Sequence, residues 1–196
     1  VRCLVVGSRC AVSTLDDRFH TVSTVSTTDA IQPHVVTVDD VDDAGFLLQA
    51  IDLAEQARAS GDHPFGAVLV GRSGTVVGSG LNTVVTDRDP TGHAETNLVR
   101  TVGGRISRAD LSTMTMYAST EPCAMCAGAI YWAGIGAVVY ALAESELRQL
   151  AGADPANPVL DLPCREVFAR GVREIEVRGP VDLPKAREVH AGFWSR

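Results

Sequence analysis

His93 and Glu95 form a His-x-Glu pair, and Cys123 and Cys126, preceded by Pro122, form a Pro-Cys-x-x-Cys. Twenty-seven residues separate Glu95 from Cys123. One imidazole and two thiolates make a soft three-ligand set, which suits a zinc ion that keeps its fourth position for water. The two thiolates cancel the charge of the ion, and a water bound there can still be deprotonated. Glu95 lies close enough in the chain to His93 to handle protons without binding the metal. Cys123 and Cys126 are i and i+3, so both sulfurs face one side of the first turn of a helix. The N-terminus of that helix favours the thiolate form that zinc requires.

Two competing uses of these residues fit less well. A redox Cys-x-x-Cys needs no His-x-Glu, and a purely structural zinc site wants a second Cys or His pair. Only Cys164 remains downstream, and it stands alone. A non-catalytic zinc-stabilised binding module would have no use for Glu95.

The elements that must hold these residues can be read along the chain. Acids at 39–43 precede Ala44, Leu47, Leu48, Ile51 and Ala54 at helical spacing, predicting an amphipathic helix that ends near Gly61. Runs at 65–70 and 75–80 flank Gly71-Arg72-Ser73-Gly74 and read as a β-hairpin. Gly78-x-Gly80 lacks the third glycine and the following helix of a dinucleotide fingerprint. A helix is expected from His93 to about Val102, and a strand at 113–118. Pro122 suits the first turn of a second helix running to about Ala133. A strand at 137–140, a helix at 144–150, a proline-rich loop at 152–163, a strand at 174–177 and a closing helix at 182–194 complete the order. This alternation predicts an α/β sandwich with a mixed sheet. Residues 1–37 are rich in Val, Ser and Thr without periodicity, and are expected to be a disordered extension. The domain is expected to occupy 38–196.

At 196 residues with a mean hydropathy of +0.11, the chain has the composition of one soluble globular domain. Its net charge of −7 argues against an overall attraction to nucleic acid. Of the five cysteines, two form the Cys-x-x-Cys and Cys3, Cys10 and Cys164 have no regular spacing, which predicts no disulfide framework and fits a reducing, cytoplasmic setting. The stretch from Cys123 to Ala143 carries no charge over 21 residues, long enough for a membrane span. Gly128, Gly134 and Gly136 interrupt it, and it contains both candidate thiolates, so a soluble helix and strand are expected instead.

The residues resemble the cytidine deaminase-like superfamily, clearly from Asp62 to Tyr140 and more weakly to the C-terminus. The carrying segments are His63-Pro64-Phe65-Gly66-Ala67-Val68, Gly80-x-Asn82, Asp89-Pro90-Thr91-Gly92-His93-Ala94-Glu95 and Glu121-Pro122-Cys123 through Ala133. They are most similar to bacterial guanine deaminases and related nucleobase deaminases. The His-x-Glu with Pro-Cys-x-x-Cys is shared by zinc deaminases at large. The resemblance implies a three-layer α/β/α sandwich on a five-stranded mixed sheet. It implies hydrolytic release of ammonia from a free base, guanine first, with one zinc per subunit.

By the same resemblance, Asn82 would hydrogen-bond the base and Phe65 and His93 would sandwich its ring. The backbone at Gly66 and Ala67 would meet its edge, and Trp132 would wall the pocket. A second catalytic acid falls at Glu144 or Glu146, with Glu146 aligning better. The C-terminal aromatic segment ending in Trp194 would close over the site, often exchanged between the subunits of a homodimer. An alternative is tRNA-specific adenosine deamination, which shares Glu-Pro-Cys-x-Met-Cys-Ala-Gly-Ala; the acidic charge weighs against it. Residues 151–170, and Gly92 where Ala is more usual, depart from the guanine deaminase pattern, which bears on substrate identity rather than on the reaction.

Overall fold

A computed structural model describes residues 41–152 and 160–194, so the expected extension at 1–37 lies outside the described residues. Helix α1 (Val41–Ala59) leads into an antiparallel pair, β1 (Gly66–Val70) and β2 (Val76–Leu81). Helices α2 (Ala94–Gly103) and α3 (Arg108–Leu111) precede β3 (Thr115–Thr120). Then follow α4 (Ala124–Ala133), β4 (Ala137–Leu142), α5 (Glu144–Ala151), α6 (Cys164–Ala169), β5 (Glu176–Arg178) and α7 (Pro184–Glu188).

The five strands lie in the order β2-β1-β3-β4-β5. β1 pairs antiparallel with β2 and β3, while β3–β4 and β4–β5 are parallel, so the sheet is mixed as expected. Successive side chains of a strand point to opposite faces, and both faces are apolar here. Ala67, Leu69, Met116, Ala118, Val138 and Tyr140 meet α2, α4 and α6 through Leu98, Ile130 and Phe168. Val68, Val70, Tyr117, Val139 and Ala141 meet α1, α5 and α7 through Leu47, Ile51, Leu147 and Ala186. Two helical layers therefore cover one sheet, giving the three-layer sandwich.

The uncharged run from Cys123 to Ala143 folds as α4 followed by the fully buried β4. Gly134, in the left-handed region at φ 93°, ends α4 and turns the chain into the sheet. Among the described residues no helix is long and apolar enough to cross a membrane. At Gly80 a Cβ would stand 2.2 Å from the Ala94 carbonyl oxygen. That glycine lets the start of α2, which carries His93 and Glu95, sit directly on β2.

Three boundaries differ from the sequence expectation. Pro122 precedes the cap of α4 rather than standing in its first turn, because Cys123 itself is the extended N-cap. Residues 164–169, directly after the proline-rich loop, form α6, a helix too short to show a period. The closing helix stops at Glu188; the chain then turns, with Gly192 at φ 67°, and lays Phe193 and Trp194 against His63.

Candidate metal centre and cleft

Two helix starts meet at the expected residues. His93 is the N-cap of α2 and Cys123 the N-cap of α4, with Cys126 three residues into the latter. The Nδ1 atom of His93 lies 3.6 Å from Cys123 Sγ and 3.6 Å from Cys126 Sγ. Tetrahedral zinc with ordinary Zn–S and Zn–N bonds holds S and N about 3.6 Å apart, so this donor set fits the ion without rearrangement. The three ligand atoms lie within 4.8 Å of one another, and among the described residues this is the group of His, Cys and acidic side chains suited to a metal.

Left to themselves, the two thiols share a proton. A hydrogen bond from Cys126 holds Cys123 well below the usual thiol range, and that same bond, with burial, drives Cys126 upward. A cation between them is what allows both to be thiolates. Glu95 follows two residues after His93 and is buried; its Oε2 accepts from Cys126 Sγ at 3.3 Å. Burial pushes this carboxyl up to about 6, with the Cys123 charge adding to the effect. A carboxyl poised there can both take and return a proton near neutrality.

These groups open into a cleft of about 470 Å³, walled by Phe65, His63 and Trp194 on one side and by Glu144 and Leu147 on another. Phe65 and Trp194 thus both line the cleft. Gly66 and Ala67 are buried within β1 and are not on the cleft wall; Gly66 N–H donates to Ser119 Oγ at 3.1 Å. Asn82 is fully buried behind the cleft wall beside Phe65, whose carbonyl accepts from Asn82 N–H at 3.1 Å. Its Oδ1 accepts from Val84 N–H at 3.1 Å, while its Nδ2 has no partner among the described residues.

Two residues stand elsewhere than expected. Glu146 turns away from the cleft to Arg187, whose Nη2 lies 3.3 Å from Glu146 Oε2. Two residues advance a helix by about 200°, so the cleft takes Glu144 and the outside takes Glu146. Burial raises Glu144 to about 7, with the charges of Cys123 and Glu121 adding to the effect. Trp132 is 73% exposed and is not on the cleft wall. It lies six residues after Cys126, about 9 Å further along α4 and turned about 120° from the metal-facing side.

One supporting residue escaped the sequence reading. Glu121 is buried, and its carboxylate accepts from the backbone N–H of Glu144 at 3.2 Å and of Cys164 at 3.0 Å. It thereby joins the starts of α5 and α6 to the end of β3. The signal lay in its place directly before Pro122-Cys123, where an acid can reach neighbouring helix N-termini.

His190 lies under the C-terminal aromatics, stacked on Trp194 at 6.0 Å and 15°. Burial, with Arg58 nearby, pushes its pKa down to about 4. The folded chain then resists a proton that the unfolded chain accepts near 6.5. Stability is complete above pH 6.5 and is lost as the pH falls toward 4, by ~3 kcal/mol in all. Urea unfolding at pH 7 and pH 4.5 should show this loss in the wild type and a much smaller one in His190→Gln.

Residues 41–142 match the family model for the cytidine and deoxycytidylate deaminase zinc-binding region. The chain is 40% identical over 152 residues to a Schizosaccharomyces pombe protein named "Probable cytosine deaminase", covering 78% of this chain and 92% of that one. It is 42% identical over 124 residues to the Bacillus subtilis guanine deaminase, covering 62% and 78%. A solved guanine deaminase from Nitrosomonas europaea superposes with a TM-score of 0.65 at 21% identity, over 94% of this chain and all of that one, and shares the fold. With the three-ligand centre and Glu95 in place, the chain belongs to the cytidine and deoxycytidylate deaminase family, whose members are zinc-dependent hydrolytic deaminases.

Proposed function

We propose that the protein deaminates a free nucleobase, guanine before others: the ring–NH2 and water give the ring carbonyl and ammonia. The observation carrying this reading is a second carboxyl, the half-buried Glu144, in the same cleft as Glu95. Two carboxyls on one cleft wall, as carboxylates, can accept from a base that presents several N–H donors, as guanine does. The names of the relatives support a base substrate, and the S. pombe relative makes cytosine the second reading.

A zinc ion on His93, Cys123 and Cys126 would activate water toward the amine-bearing ring carbon. Glu95 would take the water proton at its carboxylate and return it to the departing nitrogen. Phe65 and Trp194 would pack on the flat ring and exclude solvent, and the free Nδ2 of Asn82 would donate to a ring acceptor. Glu144 would serve as the second acid. Glu144→Gln should lower kcat/KM about a hundredfold, while Glu146→Gln should change it less than about threefold, measured as ammonia release.

Transfer RNA is a poor match: Arg148 is the one Arg or Lys on the cleft wall among the described residues, and the chain is acidic. The deciding experiment is ammonia release from guanine, cytosine, adenine and an adenosine-bearing tRNA anticodon stem by the zinc-loaded protein. Turnover of guanine or cytosine supports the reading; turnover confined to the RNA would contradict it.

A homodimer belongs to the same reading. Met125, Gly128, Ala129 and Trp132 fall at i, i+3, i+4 and i+7 on the outer face of α4, a helix with no charged residue. A helix apolar all round belongs in an interior, and a second copy of the chain would supply one. Wild type should sediment as a dimer and Trp132→Glu as a monomer.

A further inference from the structure

One polar side chain on the cleft wall has no part in the proton chemistry. His63 is half-buried there, on the same cavity as Glu95, Glu144 and Trp194. Its backbone is held from both sides. The buried Asp62 accepts from Val85 N–H at 2.7 Å and Thr86 N–H at 2.9 Å, clamping this segment to the loop that follows Asn82. On the other side Phe65 N–H donates to the His63 carbonyl at 2.8 Å.

Three rings then fix the imidazole plane. Phe65 meets it at 6.4 Å and 81°, Phe193 at 5.9 Å and 80°, and Trp194 at 5.5 Å and 54°. No hydrogen bond to either ring nitrogen is found among the described residues. If His63 served only to support the aromatic segment, a phenyl ring would do the same without a polar group to desolvate. An oriented imidazole with uncommitted nitrogens, in a cleft sized for a small flat molecule, has the form of a recognition group.

We propose that His63 is a substrate-contacting specificity residue, whose imidazole hydrogen-bonds the ring edge of the bound base and selects bases with a matching donor or acceptor there. This rests on the free-base reading above. In its neutral form, which burial favours, the imidazole offers one N–H and one lone pair. It can therefore discriminate bases by the pattern on that edge, which an always-charged group could not. A buried polar contact rejects substrates lacking its partner more sharply than an apolar wall does.

The test compares wild type, His63→Phe and His63→Gln on guanine, cytosine and adenine, with kcat and KM read separately and zinc content and Tm as controls. H63F keeps the ring packing and removes both nitrogens. It should raise KM for the preferred base about tenfold, one hydrogen bond's worth, with kcat within about threefold of wild type. It should also narrow the gap to the next-best base, and H63Q should recover part of the loss. An H63F enzyme with wild-type KM and base ranking overturns the proposal, as does an equal loss on every base, which marks a packing role. Should H63F lose its zinc, the smaller His63→Leu is read in the same way and decides. Ammonia release from no base by the wild type overturns the free-base reading and this one with it; an active wild type with an indifferent H63F overturns this one alone.

Discussion

Glu95→Gln should reduce ammonia release by about 10³-fold while zinc content and melting temperature stay near wild type. The size follows from what a positioned acid–base group contributes, about 10² to 10⁴. Glutamine keeps the shape and can still hydrogen-bond, but it cannot carry the proton from water to nitrogen. Zinc should be retained because Glu95 is not in the ligand set, which is complete with His93, Cys123 and Cys126. Stability should not fall, because burial and the Cys123 charge make the ionised carboxyl a net cost to the fold, one that glutamine does not carry. A variant with less than a tenfold loss would remove Glu95 from the chemistry.

Cys126→Ser should abolish activity and lower the melting temperature by ~10 °C under conditions where wild type is saturated with zinc. Cys126 is fully buried at the start of α4, beneath the N-terminus of α2. A metal there ties the two helix starts together, and that tie binds only the folded state. At a thousandfold excess over Kd this contributes about 4 kcal/mol, which in a chain of this size is roughly 10 °C. The serine hydroxyl neither ionises near neutrality nor matches zinc's preference for sulfur. Chelator treatment of wild type should reproduce the shift, and should leave Cys126→Ser where it was.

The metal residues were legible because their geometry is local. The spacings i, i+2 and i, i+3 at a helix start allow few arrangements, and Gly80 and Pro122 stand where those starts need them. The sheet order was harder to read than the strands, since pairing is set by contacts far apart in sequence. The mixed sheet nonetheless followed from one hairpin and the later alternation of strands and helices. Rotational phase was where the reading slipped. Glu144 and Glu146 differ by two residues, which on α5 separates the cleft from Arg187, and Trp132 shares a helix with Cys126 but faces another way. Such phases depend on how each helix docks, which similarity to a family pattern does not convey. Glu121 escaped notice for a related reason: it acts through neighbours brought close by the fold.

The direct measurement is zinc K-edge absorption on the purified protein, together with the metal content per chain. One zinc per chain bound by two sulfur and two nitrogen or oxygen scatterers, becoming one sulfur or no zinc in Cys126→Ser, is the expected result. A zinc with three or four sulfur ligands, or a fully active chain without zinc, would contradict the assignment of His93, Cys123 and Cys126 as an open catalytic site.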